Sequence, residues 1–567
     1  MKVKQLVPQL NKDTFADDYF RACGIEDVDE FKEPVGKYVG GIREYSAIQR
    51  KVELFKEKLN EIVKNNKKVI IVQDVDVDGI CSATLTYNML RWYGIKHSNI
   101  ITLFHSDKTH GLTPEIMKQL KTYMTPFNFD IRMVIIPDAG SNDIKQIEEL
   151  INVYRTMVVI LDHHEVDKSN LGKLDSLQRQ PNFIIVNNQL ERRTNKDLCG
   201  TGVVFKFWQA LCMSFDDIEY SYYLDLVALA NIADVMDMRN LENIVFNKWG
   251  LWKGVTNPFL RALCEKYCKK TNGITPEDIA WNIAPKLNAV CRSSDEWIKN
   301  YVLSAFCEVV DNYDEAIKGI ERCYRYQRET CKKMYEKLIS KQNPQDNYGK
   351  VVIKFCENTP YTGLVANKLM EYYNKPVLLV HENGSKYTGS CRSLVPIREQ
   401  VAAFPDIVFA QGHEHAFGVC WEKKDTKMLI DYLESLELDY DQKQVVTSIL
   451  DPSNIPTWLF GVTEQYARCW GTGVKAPQFY IPRIRISSKD IRELGNGNTL
   501  KFKYKDVEYV KFFASHNDKE ALAIGKNKPL IIDLIGSLGV NEYRGNTTLQ
   551  VKIDKFEILE ERWEDIW

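Results

Sequence analysis

The stretch Val69–Ala83, VIIVQDVDVDGICSA, sets three carboxylates at alternate positions, Asp74, Asp76 and Asp78, directly after an apolar β-branched run. Like charges this close repel one another unless a cation offsets them. Calcium is the first chemistry to weigh, because Asp74, Asp76, Asp78 and Gly79 match the first half of an EF-hand loop. That loop needs a bidentate Glu at its twelfth position, where Leu85 stands. It also needs a helix in front, whereas Val69, Ile70, Ile71 and Val72 read as a buried strand. A metal site at the C-terminal end of a parallel strand fits better, and it demands further ligands.

Other segments supply them. The run Met133–Pro137 ends in Asp138, the run Met157–Leu161 ends in Asp162-His163-His164, and the helical segment Asp225–Asp234 delivers Asp234. Taken singly, each has an ordinary structural reading: an Asp after a strand caps the next helix, and a His pair sits on a surface. Together they make five or six carboxylates and two imidazoles, three of the clusters at strand ends of one sheet. Carboxylate and imidazole without thiolate suit Mn²⁺ or Mg²⁺ ahead of Zn²⁺ or Fe²⁺. So many acids call for two ions, because one would leave carboxylates unpaired. Two cations about 3.5–4 Å apart, sharing a bridging carboxylate, serve phosphoester hydrolysis.

The elements that must position these residues alternate. Strand signals lie at Val69–Gln73, Ile100–Phe104, Met133–Pro137, Met157–Leu161 and Phe183–Asn187, with helical patterns such as Ser82–Tyr93 and Asp143–Tyr154 between them. This predicts an α/β fold with a doubly wound parallel sheet, whose ligands sit at the carboxyl ends of the strands. Residues before about Asn66 read as helical, notably Tyr45–Val63. Helical patterns continue from Tyr220–Asp234 to about Lys341, including a Glu-, Lys- and Arg-rich run from Asp311. Lys341–Lys350, KQNPQDNYGK, reads as a linker. A smaller α/β unit follows. After Ile455, short strands such as Leu500–Tyr504, Val507–Phe513, Pro529–Ile535 and Leu549–Phe556 predict a small β-barrel. The expected domains are 1–245 with the site, 246–345 as a helical connector, 346–445 as the second α/β domain and 455–567 as the barrel.

Bulk properties agree with a multidomain globular protein. The chain has 567 residues, too many for one core. A net charge of -2 carries no global nucleic-acid signal, but net charge does not report its distribution. Fourteen scattered cysteines without C-x-x-C pairs read as reduced thiols of a cytosolic protein. MKVKQLVPQLNKDTF lacks an apolar signal core and no later run is long enough to span a membrane, so a cytoplasmic protein is expected.

The motifs, in order, resemble the DHH phosphoesterase superfamily. DVDVDG (Asp74–Gly79), the isolated Asp138, DHH (Asp162–His164) and Asp234 correspond to its four motifs. Within it, LCGTGVVFK (Leu198–Lys206), DLVALANIAD (Asp225–Asp234) and IAPKLNAVCR (Ile283–Arg292) resemble the RecJ-type exonucleases. Gly363–Leu369 with Pro376, GSCRS (Gly389–Ser393) and GHEHAFG (Gly412–Gly418) resemble the nucleotide-binding DHHA1 motifs, and NEYRGNTTLQVKI (Asn541–Ile553) the end of an OB-fold. The chain departs from the pattern at Gln411 and Cys291, where glycine is usual, at Lys286 for arginine and at His110 for tyrosine.

The resemblance implies that Asp74 and Asp76 bind one divalent ion, Mn²⁺ or Mg²⁺, that Asp78, His163 and Asp234 bind a second, and that Asp138 bridges them. It implies that His164 faces the scissile phosphate, that Asp162 orients a histidine, and that Arg292, Ser390 and Arg392 hold a 5′ phosphate while His413 adjoins the nucleotide. The implied activity is release of 5′-mononucleotides from single-stranded DNA, 5′ to 3′, in repair or recombination. The implied state is a monomer working with a single-strand-binding protein or a helicase. A phosphodiesterase of oligonucleotides or cyclic dinucleotides is the alternative within the superfamily, but its members generally lack the barrel. A non-catalytic replication scaffold is the third reading, and it should have lost ligands. Tyr504, Tyr509, Phe512 and Phe513 are candidates for base stacking, against a reading as strand core.

Overall fold

The structure is a computed structural model. It describes residues 1–34, 45–106, 109–124, 130–212, 223–252, 254–269, 273–341, 343–438, 444–495, 497–543 and 546–559. The start of the helix expected at Tyr220 lies outside them.

Contacts divide the chain into two compact units that do not follow sequence order. One comprises Phe20–Tyr324 with Tyr466–Ala476; the other comprises Met1–Tyr19, Arg325–Gln465 and Pro477–Trp567. The first holds a five-stranded sheet: β1 (Lys68–Gln73), β2 (Ile100–Phe104), β3 (Ile131–Pro137), β4 (Met157–Asp162) and β5 (Phe183–Asn187). Its order is β2-β1-β3-β4-β5 and every neighbour pair is parallel. Helices accompany it: α1 (Ile48–Lys64), α2 (Val77–Trp92), α3 (Pro114–Tyr123), α4 (Ile144–Asn152) and α5 (Leu171–Leu177).

The β-branched runs explain the two-sided burial. Val69 and Ile71 enter one core with Phe55 and Leu59 of α1, while Ile70 and Val72 enter the opposite core with Ile116 of α3 and Ile147 of α4. Strands buried on both faces read as continuous apolar runs. The strand order reverses direction between β1 and β3. In a doubly wound sheet that switch opens a crevice at the carboxyl ends. The segments after β1 and β3 begin with Asp74 and Asp138.

Further helices complete the unit, including α6 (Gly200–Cys212), α7 (Leu224–Ala233) and α8 (Ala284–Cys291). Then α9 (Asp314–Ser340) runs 27 residues, about 40 Å, and the division between the units falls within it.

The second unit contains two larger sheets. One has β6 (Asn347–Tyr348), β7 (Val352–Cys356), β8 (Val377–Asn383), β9 (Lys386–Arg392), β10 (Ile407–His413) and β11 (Ala416–Glu422), in the order β10-β11-β9-β8-β7-β6. Helix α10 (Thr362–Tyr373) connects β7 to its parallel neighbour β8. The other sheet has seven strands, β12 (Ser448–Ile449), β13 (Gln478–Ser487), β14 (Arg492–Leu494), β15 (Thr499–Tyr504), β16 (Val507–Phe512), β17 (Pro529–Tyr543) and β18 (Asn546–Ile558).

Two expectations change. The amino terminus is not helical from its start: Val3–Gln5 is a strand, paired in parallel with Gln444–Val446. No local pattern announces a pairing supplied from so far along the chain. The expected linker also contributes structure. Asn347–Tyr348 is an edge strand, and Asp346 forms a fully buried ion pair with Lys354 at 2.7 Å. All fourteen cysteines are free thiols. Among the described residues, no helix is long and apolar enough to cross a membrane.

Candidate metal centre

Each carboxylate is placed by its own local device. Asp76 caps α2, its Oδ1 accepting from Gly79 N at 3.0 Å. Gly79 must lack a side chain, since a Cβ there would lie 2.5 Å from the Asp74 carbonyl oxygen. Asp78, in the first turn of α2, accepts from Gly200 N at 2.6 Å and Thr201 N at 2.7 Å. Those are unpaired amides of the α6 N-terminus, where the helix dipole favours negative charge. Gly200 also makes room for Asp138, whose Oδ1 would be 2.3 Å from a Cβ at that position. Asp138 itself turns the chain in the left-handed region, φ 67°, and its N–H donates to Leu161 O at 2.8 Å. Asp234 caps the C-terminal end of α7. An anion at that end meets the unfavourable pole of the helix.

The residues converge in three overlapping groups. Asp74, Asp76 and Asp138 each offer an oxygen within 4.8 Å of the others; Asp78, His163 and Asp234 form a second such group, and Asp138, His163 and His164 a third. His163 Nε2 lies 3.3 Å from Asp138 Oδ1, 3.6 Å from Asp234 Oδ2 and 3.8 Å from Asp78 Oδ2.

Without a cation this arrangement is strained. Burial and the charges of Asp78 and Asp76 push Asp138 well above the usual carboxylate range. The same two causes raise Asp234, and burial with the charges of Asp74 and Asp78 raises Asp76. Burial holds His163 below the ordinary imidazole value, which leaves it neutral and able to ligate. Asp74 Oδ1 and Asp138 Oδ1 are buried and accept no hydrogen bond among the described residues. Unpaired buried oxygens and repelling carboxylates fit a hard divalent cation well.

The two adjacent histidines differ. Asp162 is buried and accepts from Ser141 N, His163 N, His164 N and His164 Nδ1, the last at 2.8 Å. Burial opposes charge on His164, yet Asp162 overrides it through its charge and hydrogen bond and pushes His164 up to about 10. With its side chain 49% exposed, His164 is an imidazolium facing open solvent. One residue was missed by motif reading. His110 Nδ1 stands 2.7 Å from Asp74 Oδ2, and its ring centre 6.3 Å from that of His164. Its only sequence signal was its departure from the usual tyrosine.

The expected phosphate ligands fall in both units. Arg292 follows α8, which a π-helical turn at Ile279–Ile283 introduces, and its Nε is buried with no hydrogen-bond partner among the described residues. Cys291 donates from Sγ to Asp76 O at 3.2 Å, so this departure from glycine contacts the acidic loop. In the other unit Ser390 and Arg392 lie on β9, and Ser390 Oγ is 2.9 Å from Thr362 Oγ1. Arg392 packs where Gly363 leaves space, 2.6 Å from where a Cβ would be. His413 ends β10 and is exposed.

Comparison with known proteins bears on this constellation. The N-terminal domain of the DHH family matches residues 68–231, and the RecJ OB domain matches residues 450–555. The chain thus carries a DHH-family N-terminal domain and a RecJ OB domain. The SPbeta-prophage protein YorK of Bacillus subtilis, named a single-strand DNA-specific exonuclease, is 28% identical over 90% of this chain and 92% of its own length. The single-stranded-DNA-specific exonuclease RecJ of Escherichia coli is 22% identical over 90% of each chain. In fold, the chain resembles RecJ from Thermus thermophilus solved in complex with Mn²⁺, with a TM-score of 0.70 at 19% identity over 99% of this chain and 80% of that one. A Mg²⁺ complex from the same source gives a TM-score of 0.66.

Proposed function

We propose that this chain is a metal-dependent exonuclease that removes 5′-mononucleotides from single-stranded DNA, with a role in repair or recombination. The observation that carries the reading is the pair of ligand groups, Asp74/Asp76/Asp138 and Asp78/His163/Asp234, at the switch point of the sheet. Relatives named for single-strand DNA-specific exonuclease activity span the same length of chain. Two divalent ions, Mn²⁺ or Mg²⁺, are assigned to these groups, with Asp138 shared. When bound, such ions activate water and neutralise charge on a phosphate under attack.

The chain's own residues do the rest. Asp78, held by the α6 amides, and Asp76, held by Gly79, keep two carboxylates in place. His164, kept protonated by Asp162, donates to a non-bridging phosphate oxygen or to the leaving oxygen. Arg292, whose buried Nε has no hydrogen-bond partner among the described residues, is a phosphate contact. In the other unit, Ser390 and Arg392 are proposed to hold a 5′ phosphate, with His413 beside the nucleotide. The OB domain is assigned to holding single-stranded DNA. A monomer in the cytoplasm, acting with a single-strand-binding protein or helicase, completes the proposal.

The test uses one single-stranded DNA labelled at its 5′ or its 3′ end, with Mn²⁺ or EDTA, and His163→Ala protein beside the wild type. Metal-dependent release of a labelled mononucleotide from the 5′ end, absent in the variant, is expected. Cleavage of dinucleotides but not of long DNA would replace this reading with a small-substrate phosphodiesterase. Binding without cleavage would replace it with a scaffold.

A further inference from the structure

The carboxylates of the acidic loop are not held alike. Asp76 is anchored by a backbone N–H of its own helix, and Asp78 by two from α6. No backbone amide reaches the Asp74 carboxylate among the described residues. Its side chain is only 1% exposed, its Oδ1 accepts no hydrogen bond, and its Oδ2 meets His110 Nδ1 at 2.7 Å. A half-exposed imidazole therefore reaches in to a buried carboxylate that accepts no other hydrogen bond among the described residues.

The turn that delivers His110 is itself built for the purpose. Leu112 N donates to Asp143 Oδ2 at 2.7 Å. Gly111 lies in the left-handed region at φ 70°, and a Cβ there would come 2.2 Å from the same Asp143 oxygen. Thr113 then caps α3, accepting from Ile116 N at 3.2 Å. The ring is thus held from the side of the β2–α3 connection, with one nitrogen on Asp74 and the remainder on the open side shared with His164.

We propose that His110 is a positioning residue for Asp74: its Nδ1–H engages Oδ2, stops the carboxylate rotating, and leaves Oδ1 for the divalent cation. The inference rests on the metal-centre reading above. A histidine that orients a ligand from behind is the mirror of the carboxylate that commonly orients a ligating histidine, and loss of such partners costs about 10- to 100-fold in metal affinity.

The experiment titrates Mn²⁺ by calorimetry, without DNA, into full-length wild type, His110→Phe and His110→Asn, with thermal unfolding as a check on folding. Asn places an amide donor near the position of Nδ1, whereas Phe keeps the ring and removes the donor. The expected result is an affinity loss of about 10- to 100-fold for His110→Phe at one of the bound equivalents, with His110→Asn within a few-fold of wild type. Excess Mn²⁺ should return the kcat of His110→Phe toward wild type, since the donor serves binding of the ion. Wild-type affinity in His110→Phe, or equal losses in both variants, would overturn the role of the donor. Wild-type protein that binds no Mn²⁺ would remove the metal centre, and this inference with it.

Discussion

Asp138 carries a heavy electrostatic burden at the level of single residues. Its folded-state pKa is raised, so its stabilising contribution is complete below the unfolded value near 3.8 and is lost as pH rises through the folded value. Ionising the group therefore destabilises the metal-free fold. Asp138→Asn should lose activity by at least about 100-fold, the upper range for groups that merely support a metal ligand. Its metal-free thermal unfolding temperature at pH 7–8 should equal or exceed that of metal-free wild type. A clear drop in that temperature, measured with EDTA present, would contradict the electrostatic account. Asp162 has the opposite task. Asp162→Asn removes the charge that pushes His164 up to about 10, so the basic limb of the pH–rate profile should move to lower pH. An unchanged limb would assign that ionisation elsewhere.

Secondary-structure elements bring these groups to one place by close backbone approach. A Cβ at Gly79 would sit 2.5 Å from the Asp74 carbonyl, a backbone atom that cannot swing aside. Gly79→Ala should therefore destabilise by about 1–3 kcal/mol through overpacking. Gly172, in α5, has nothing within 4 Å of its notional Cβ. Gly172→Ala should stabilise by about 0.5–1 kcal/mol, through helix propensity alone. Urea unfolding of the two variants gives opposite shifts if local packing, and not glycine content, sets the outcome. The glycine of DVDVDG was legible as a motif, but its reason was not, because the atom it avoids belongs to the strand end before it.

For the whole molecule, the proposed function assigns single-stranded DNA to the OB domain. Its aromatics divide sharply. Tyr509 is fully buried and stacks on Phe502 at 5.0 Å, so it is core, whereas Phe513 is 83% exposed in the left-handed region at φ 54°. An unstrained position for a bulky residue would not have positive φ. Phe513→Ala should weaken binding of long single-stranded DNA by about 1–3 kcal/mol with little change in folding. Tyr509→Ala should unfold the domain more readily and affect binding only through that. Fluorescence anisotropy with a labelled oligonucleotide, beside thermal unfolding, separates the two.

The alternating strands and helices, and the ligand types at their ends, were legible in the residue pattern alone. Short apolar runs rich in β-branched residues read as strands of a two-sided sheet, and Asp74, Asp138 and Asp162–His164 follow those runs directly. The pairing of ligands into two groups was implied by resemblance, and the geometry brings the same residues together. What holds them became visible in the folded chain. The α6 amides on Asp78, the His110 bond to Asp74 and the pairing of Val3–Gln5 with Gln444–Val446 all join segments far apart in the chain. Hydrogen bonds of that kind leave no periodicity in a sequence, because they depend on where backbones meet and not on which residues are neighbours.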